Sequence, residues 1–410
     1  MITVESSILL SDFNCNALKR WSLGGSSIFD RLLLAFTKYR RGNFMSLISR
    51  LSGKIHIPGK LQFSDNKKQY VGLDIGSGSL KAVELRPTGK DAYSLAACGY
   101  EEMSPEWFVD GVIMAPKPIA EVIGRIFTSQ HIQNDHVVTS ISGHSVIVKK
   151  ISIHLQDEED LAESIRWGAA QNLPFDINDV NFDFQIIGEN TSTDMLDVLF
   201  VAVKKDTIQV YTDMFKQAKK VPAILDVDAF ALQNAYEYNY QPRNDSTAAL
   251  LHIGANKMMI NLVAGTEFLF TRDISVGGSR YTEFLQKEFN INFDQAQALK
   301  FGEIIENVSP DDVQYVLDSV TEIISMEVQK TFDFFKSTSS VKNIERMLVS
   351  GGASHTQGLI GTLDNNLDIP VEEFDSFKRI QVDAKRFPMI KEQAADMAIA
   401  VGLALRSGEE

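Results

Sequence analysis

The chain has 410 residues, 44% hydrophobic and 23% charged, with a formal net charge of −14 and two cysteines, Cys15 and Cys98. That length predicts several domains with ample apolar material for cores. The acidic balance excludes a general nucleic-acid binder, two cysteines exclude a disulfide framework or a four-cysteine zinc site, and no run approaches the roughly 18 apolar residues of a spanning helix.

The charge is uneven. Residues 1–69 hold eleven Lys/Arg against four Asp/Glu, a balance of +7, which leaves −21 for the remainder. Residues 28–50 are basic and partly amphipathic, which suits a helix on an anionic membrane surface or, by composition, a transit peptide. Met45-Ser-Leu-Ile-Ser-Arg-Leu51 also reads as a later translation start, which would leave residues 1–44 untranslated. Residues 52–68 read as a linker.

From Tyr70 the pattern predicts three strands, 70–75, 79–86 and 92–101. The first two flank Gly76-Ser-Gly-Ser79, preceded by Asp74 and followed by Lys81. Consecutive N–H groups in such a turn form an anion nest, to which Ser77 and Ser79 add hydroxyl donors. An aspartate beside it suggests a metal-bound phosphate ligand. Next, Ile119, Val122, Ile123, Ile126 and Phe127 fall at helical spacing. Strands at 136–142 and 145–153, a helix opened by Asp157-Glu-Glu-Asp160 and ended by Pro174, and strands at 180–188 and 195–203 follow. Residues 104–190 read as an inserted α/β subdomain, with 70–103 and 191–245 as the first core domain. Asp228 is placed to N-cap the helix 229–238.

At residue 248 the opening theme returns. Ala248-Ala-Leu-Leu-His-Ile-Gly-Ala-Asn-Lys-Met-Met-Ile-Asn-Leu-Val263 is again strand, glycine turn, strand. A third strand, 267–276, runs into Gly277-Gly278. A repeat of local order this far along predicts two related halves, the second spanning 246–410. Helices follow at 281–289 and 293–301. A longer one carries Val313, Val316, Leu317, Val320, Ile324, Val328, Phe332 and Phe335 on one face. Met347-Leu-Val-Ser350 leads into Gly351-Gly-Ala353, where the backbone can approach a flat or anionic ligand. A last helix carries Ala394, Met397, Ala398, Val401 and Leu405.

Three glycine elements in this order resemble the actin-like ATPase superfamily, which includes actin, Hsp70, sugar kinases and FtsA. Gly72–Leu85, Ile141–Lys150, Ile165–Ile177 and Val349–Ser354 more closely resemble the PilM family of type IV pilus assembly proteins. The resemblance implies an α/β actin-like fold of two duplicated domains around a nucleotide cleft, with 104–190 as the 1C-type subdomain. It implies ATP and Mg²⁺ as ligands. Gly76, Ser77, Gly78, Ser79 and Lys81 would form the first phosphate loop, with Asp74 orienting the metal. Residues 254–257 would form the second loop, with Gly254, Ala255 and Asn256 at the phosphates, and Gly277 and Gly278 a nucleotide-adjacent turn. Lys300, Glu303, Gly351, Gly352 and Ala353 would hold the adenosine. The resemblance also implies a groove between the subdomain and the first core domain for the N-terminal peptide of PilN, an inner-membrane protein. PilO and the pilus motor ATPases would be reached indirectly. The chain would then be cytoplasmic, at the inner face of the inner membrane.

One departure matters. The superfamily places an aspartate two residues before the glycine of the second phosphate loop, where this chain has His252. A histidine does not supply that negative charge, so nucleotide binding with weak or absent hydrolysis is expected and no catalytic residue is assigned. A sugar-kinase-like phosphotransferase and an FtsA-like division protein are the alternatives. The first needs a substrate aspartate in the cleft, where His252 stands. The second needs a membrane-binding amphipathic helix, for which the C-terminal sequence shows no pattern and the basic N-terminus would have to substitute. His131, His136, His144 and His154 do not have metal-ligand spacing. Trp167 and Phe175 are candidates for either a peptide groove or a core.

Overall fold

The structure is a computed structural model that describes residues 69–406, apart from 90, 110, 155–157, 191–194, 340, 342 and 389, together with Ile2–Thr3. The basic segment 28–50, the later start at Met45 and the linker 52–68 lie outside the described residues.

The chain opens with β1 (Val71–Ile75), β2 (Ser79–Gly89), β3 (Ala92–Glu102), α1 (Pro116–Ser129) and β4 (His136–Ile141). Next come β5 (Val146–His154), α2 (Glu158–Ala170), β6 (Val180–Asn190) and β7 (Met195–Lys204). Then α3 (Lys205–Gln217), β8 (Val221–Val227) and α4 (Asp228–Tyr240) complete the first half. The second half runs β9 (Thr247–Ile253), β10 (Met258–Ala264), β11 (Glu267–Ile274), α5 (Ser279–Phe289), α6 (Phe293–Lys300) and α7 (Pro310–Thr338). It closes with β12 (Arg346–Ser350), α8 (Leu359–Asn366), β13 (Val371–Glu373) and α9 (Ala398–Ala404).

Two sheets share one plan. In the first, the order is β8-β4-β1-β2-β3, with Ile2–Thr3 at the β8 edge. In the second it is β11-β10-β9-β12-β13. Each is an antiparallel three-strand meander, β1-β2-β3 or β9-β10-β11, extended by two parallel strands beside its first strand. Meanders need only short turns, whereas the parallel strands need helical crossovers, which is why helices dominate the rest of each half. All seven residues of β9 are buried, as expected of a central strand covered on both faces. The predicted apolar stripes settle where the period places them. Ile119, Val122, Ile123, Ile126 and Phe127 are the buried face of α1, and Val313 through Phe335 that of α7. The Ser309 hydroxyl caps α7 by accepting from the Asp312 N–H.

The segment 104–190, expected as one insert, divides. β4 runs parallel to both β1 and β8, with Gly72 opposite Val138, and α1 packs against β3 and α3. Both belong to the first lobe. The small separate sheet is β5-β7-β6, and its central strand β7 was expected in the core sheet. The reason lies in its two faces. Val198, Phe200 and Ala202 fill the core beneath α2, while Leu199 joins the core shared by the two lobes and Val203 that of the first lobe. A continuous apolar run registers burial on both sides but not which neighbour supplies each side.

The last helix also departs from the expected second domain. α9 returns to pack on α4, β1 and β2. Contact is so close that a Cβ on Gly402 would lie 1.7 Å from the Ala231 carbonyl oxygen, and one on Gly72 2.1 Å from that of Ala400. The helix is also shorter than its apolar pattern, because residues 391–397 form turns instead.

Candidate functional site

Two hairpin loops of equal length meet at the cleft. Ile75 pairs with Leu80 and Ile253 with Met258, so residues 76–79 and 254–257 form the connections. Both close the same way: the Gly76 N–H donates to the Ser79 carbonyl at 3.0 Å, and the Gly254 N–H to the Lys257 carbonyl at 2.9 Å. The loops face each other closely enough that a Cβ on Gly78 would stand 2.9 Å from the Ala255 Cβ. Among the described residues, the N–H groups of Ser77, Gly78, Ala255 and Asn256 meet no acceptor. Such consecutive free donors suit an anion.

The Gly277-Gly278 turn buttresses the second loop. The Gly278 N–H donates to the Gly254 carbonyl at 2.8 Å, the Ser279 N–H to that of Ala255 at 2.7 Å, and the Ser279 hydroxyl to Asn256 Oδ1 at 2.8 Å. A side chain on Gly277 would meet the Ala255 carbonyl oxygen at 2.5 Å. Beyond it, Gly278 neighbours both the Ala353 methyl and the Lys300 ammonium, so the predicted turn, α6 and the third glycine loop converge. Gly351 turns at φ +89°, where a Cβ would also meet the Ile253 carbonyl oxygen at 2.5 Å. Gly352 follows beside Asp396. The Lys300 amine is buried, 3.4 Å from Gln297 Oε1, and burial pushes its pKa down to about 8. Glu303 lies on the exposed turn after α6.

Charged groups line the strand ends below the loops. Asp74 and Lys81 are register partners in the β1–β2 hairpin, and their buried side chains form an ion pair at 3.2 Å. Burial alone would lower the Lys81 pKa; Asp74 and Asp396 reverse that, and it ends above its ordinary value. In the second hairpin His252 holds the corresponding place. It is buried, its Nδ1 lies 3.1 Å from the Ser350 hydroxyl, and burial pushes its pKa down to about 4, so it is neutral at pH 7.

Asp228, expected as an N-cap, instead occupies the first turn of α4, with Val227 at the cap position. Its carboxylate accepts from the Ser140 hydroxyl at 2.6 Å and from the Lys257 ammonium at 3.2 Å. Burial works against its ionised form, but Lys257 and the serine hydroxyls outweigh it and hold its pKa below the usual carboxylate value. Lys257, from the second loop, also donates to the Ser142 hydroxyl just beyond β4. Asp273, at the end of β11, accepts the Gly143 N–H at 2.6 Å. Sequence reading placed residues 254–257 in the second loop but gave the Lys257 side chain no role, and it missed Asp273, Ser140 and Ser142. Lys257 could have been found as the residue that matches Ser79 in the repeated hairpin.

These groups fit a polyphosphate better than they fit Mg²⁺. The glycine turns leave close backbone approach and free N–H donors. The carboxylates, by contrast, already have cationic or N–H partners, and His252 is neutral. Among the described residues no group of three or more His, Cys, Asp or Glu side chains is arranged to hold a metal.

A cavity of about 490 Å³ opens between the insert and the first lobe, with the start of β11 from the second lobe at its side. β6 and β7 form one wall, and β8, α4 and the start of β11 the other. Ile186, Ile187, Phe230 and Phe268 give it an apolar lining. In its wall, Gln233 Oε1 and Asn234 Nδ2 are buried with no hydrogen-bond partner. β6 is an edge strand of its sheet, so one side of its backbone is unpaired by strands. Neither aromatic candidate lines this groove: Trp167 is exposed on α2, and Phe175 packs on the insert core under the Lys204 ammonium.

Residues 72–408 match the family model described as type IV pilus assembly protein PilM. The chain belongs to the PilM family. Among solved structures, the PilM-PilN type IV pilus biogenesis complex superposes with a TM-score of 0.75 at 25% identity, covering 84% of this chain and 100% of that one. EutJ, an ethanolamine utilization protein from Carboxydothermus hydrogenoformans, superposes with a TM-score of 0.49 at 13% identity over 82% of this chain and 89% of that one. The PilM-family match spans both lobes and the insert, and with the doubled sheet plan it gives the actin-like fold that the sequence implied.

Proposed function

We propose that this PilM-family chain is a nucleotide-binding scaffold of type IV pilus assembly that holds the N-terminal peptide of a PilN-like inner-membrane protein. The groove between insert and first lobe carries the reading. It has an apolar lining and is bordered by a strand with one open edge, which suits an extended peptide. Its orphaned Gln233 and Asn234 amide atoms offer one acceptor and one donor to a peptide backbone. Four carboxylates line it, Asp183, Asp226, Glu237 and Glu267, against two cations, Arg406 at Asp226 and Lys150 at Glu267. That balance favours a peptide bearing positive charge. The solved relative is a PilM-PilN complex, which supports the same partner.

Among the described residues no helix is long and apolar enough to cross a membrane. The partner would therefore give the chain its place at the cytoplasmic face of the inner membrane, with PilO and the motor ATPases linked through it. ATP would bind between the two hairpin loops and favour the closed arrangement of lobes, setting peptide affinity by population shift. Bound ATP would supply the phosphate charge that the loops grip. The protein's own part is to bind and orient it. With the His252 pKa lowered to about 4, its neutral ring is a weak base, and Asp228 is held by Lys257, so slow turnover is expected.

The test is capture of immobilised N-terminal peptides from candidate inner-membrane proteins, with and without ATP. Retention on a PilN-like peptide, strengthened by ATP, is the expected result. No retention on any such peptide would sink the scaffold reading, and rapid phosphoryl transfer to small sugars would replace it with a kinase.

A further inference from the structure

We propose that Lys257 is the cation of the nucleotide cleft, so that this chain binds nucleotide phosphates without a divalent metal. This rests on the nucleotide reading above and goes beyond it by naming the form of the ligand and the residue that sets it.

A hydrated Mg²⁺ needs near-octahedral oxygen ligands, usually one or two carboxylates with water and phosphate oxygens. Among the described residues four carboxylates lie close to the loops, and each is engaged; Asp396, beside Gly352, faces His355 Nε2 at 3.2 Å. The Asp74 side chain is 8% exposed and sealed against Lys81, itself 7% exposed, at 3.2 Å. Asp228 is held by Ser140 at 2.6 Å and by Lys257 at 3.2 Å. Asp273 accepts the Gly143 N–H at 2.6 Å. The place of a further carboxylate in the second hairpin is taken by His252, bonded to Ser350. A metal entering at Asp74 or Asp228 would first have to displace an ammonium from a buried carboxylate, leaving that ammonium unpaired.

Lys257 is differently placed. Its side chain is 31% exposed, so it is open to an incoming ligand while Lys81 is not. It belongs to the loop whose Ala255 and Asn256 N–H groups meet no acceptor among the described residues. A lysine ammonium is a compact charge with three donors. Two of these go to Asp228 and Ser142, leaving one for a phosphate oxygen. The ammonium also screens that phosphate from the Asp228 carboxylate, which is the service a metal would otherwise perform. Because Lys257 comes from the second lobe while Asp228 and Ser142 come from the first, the residue that meets the phosphate also ties the lobes together.

The experiment is ATP titration followed by calorimetry and by melting temperature, in EDTA and in Mg²⁺. Equal affinity in the two buffers is expected for the natural chain. Lys257→Ser should weaken binding in EDTA by about ten- to a hundredfold, the loss of one hydrogen bond to a charged group, and Mg²⁺ should recover part of it at the released Asp228. Lys257→Arg should retain metal-free binding. The melting temperature of each unliganded variant reports folding, and Lys257→Gln serves if the serine variant does not fold. Binding by the natural chain only in Mg²⁺, or a Lys257→Ser variant that binds as well as the parent in EDTA, overturns the proposal. No ATP binding in either buffer overturns the nucleotide reading with it.

Discussion

His252 stands in the second hairpin where Asp74 stands in the first. Each is two residues before the first glycine of a four-residue loop, and each is buried at the end of the first strand of its meander. Only the first has an ionic partner, because Lys81 faces Asp74 across the ladder whereas Met259 faces His252. The duplication therefore keeps its geometry while its electrostatics diverge: an ion pair on one side, and a neutral imidazole bonded to a serine on the other.

That difference has a pH signature. The His252 pKa falls from 6.5 to about 4 in the folded chain, chiefly through burial. Between those values the unfolded histidine binds a proton that the folded one refuses, so stability is lost as pH drops from 6.5 towards 4. The integrated loss is roughly 3 kcal/mol. His252→Asn keeps a group able to bond Ser350 and does not titrate there. Urea midpoints measured across this range should fall more steeply for the natural chain than for the variant, and parallel curves would show that His252 does not remain neutral.

The Asp74–Lys81 pair is a structural element before it is a ligand site. Lys81→Met strands a buried carboxylate, and Asp74→Leu a buried ammonium, and each should cost about 3–5 kcal/mol. The double variant Asp74→Leu/Lys81→Met removes both charges and should be more stable than either single variant. A double-mutant cycle from denaturant unfolding measures this directly. Additive losses would mean that the two side chains do not share their charge.

In the groove, Asn234 Nδ2 is buried without a partner, so removing it costs the free protein little. Asn234→Leu should leave the melting temperature unchanged or slightly raised. It should weaken capture of a PilN-like peptide by about tenfold, the worth of one buried hydrogen bond. Capture equal to that of the parent would take Asn234 out of the peptide contacts.

Much of this was legible in sequence because local chemistry fixed it. Glycine turns between apolar strands gave both hairpins, and the 3.6 period gave α1 and α7 to within a few residues. What stayed hidden depends on neighbours distant in sequence. The run of residues 198–203 is apolar on both faces whichever sheet it joins, so periodicity did not reveal that β7 serves the insert. Asp228 before an apolar helix reads as a cap, whereas its carboxylate is bonded by Ser140 and by Lys257 from the other lobe, partners that lie far off in sequence. His252 was visible as a departure, but its neutrality depends on burial that composition does not report.

The return of α9 to the first lobe is the last feature open to a direct check. Its sequence, Ala-Ile-Ala-Val-Gly-Leu-Ala, is buried throughout, and Gly402 lies where a Cβ would overlap the Ala231 carbonyl of α4. The overlap is with backbone, so a rotamer change cannot relieve it and the two helices must separate. Gly402→Ala should therefore destabilise the chain by about 3 kcal/mol, at the upper end of the usual range for overpacking. The helix propensity of alanine would offset at most about 1 kcal/mol of this. Gly361→Ala, on α8, meets nothing within 4 Å and is the matched control, expected to be neutral or stabilising. Denaturant midpoints for the two variants separate packing from propensity: equal midpoints would mean that α9 does not press on α4, and a loss confined to Gly402→Ala ties the end of the chain to the lobe that carries the first loop.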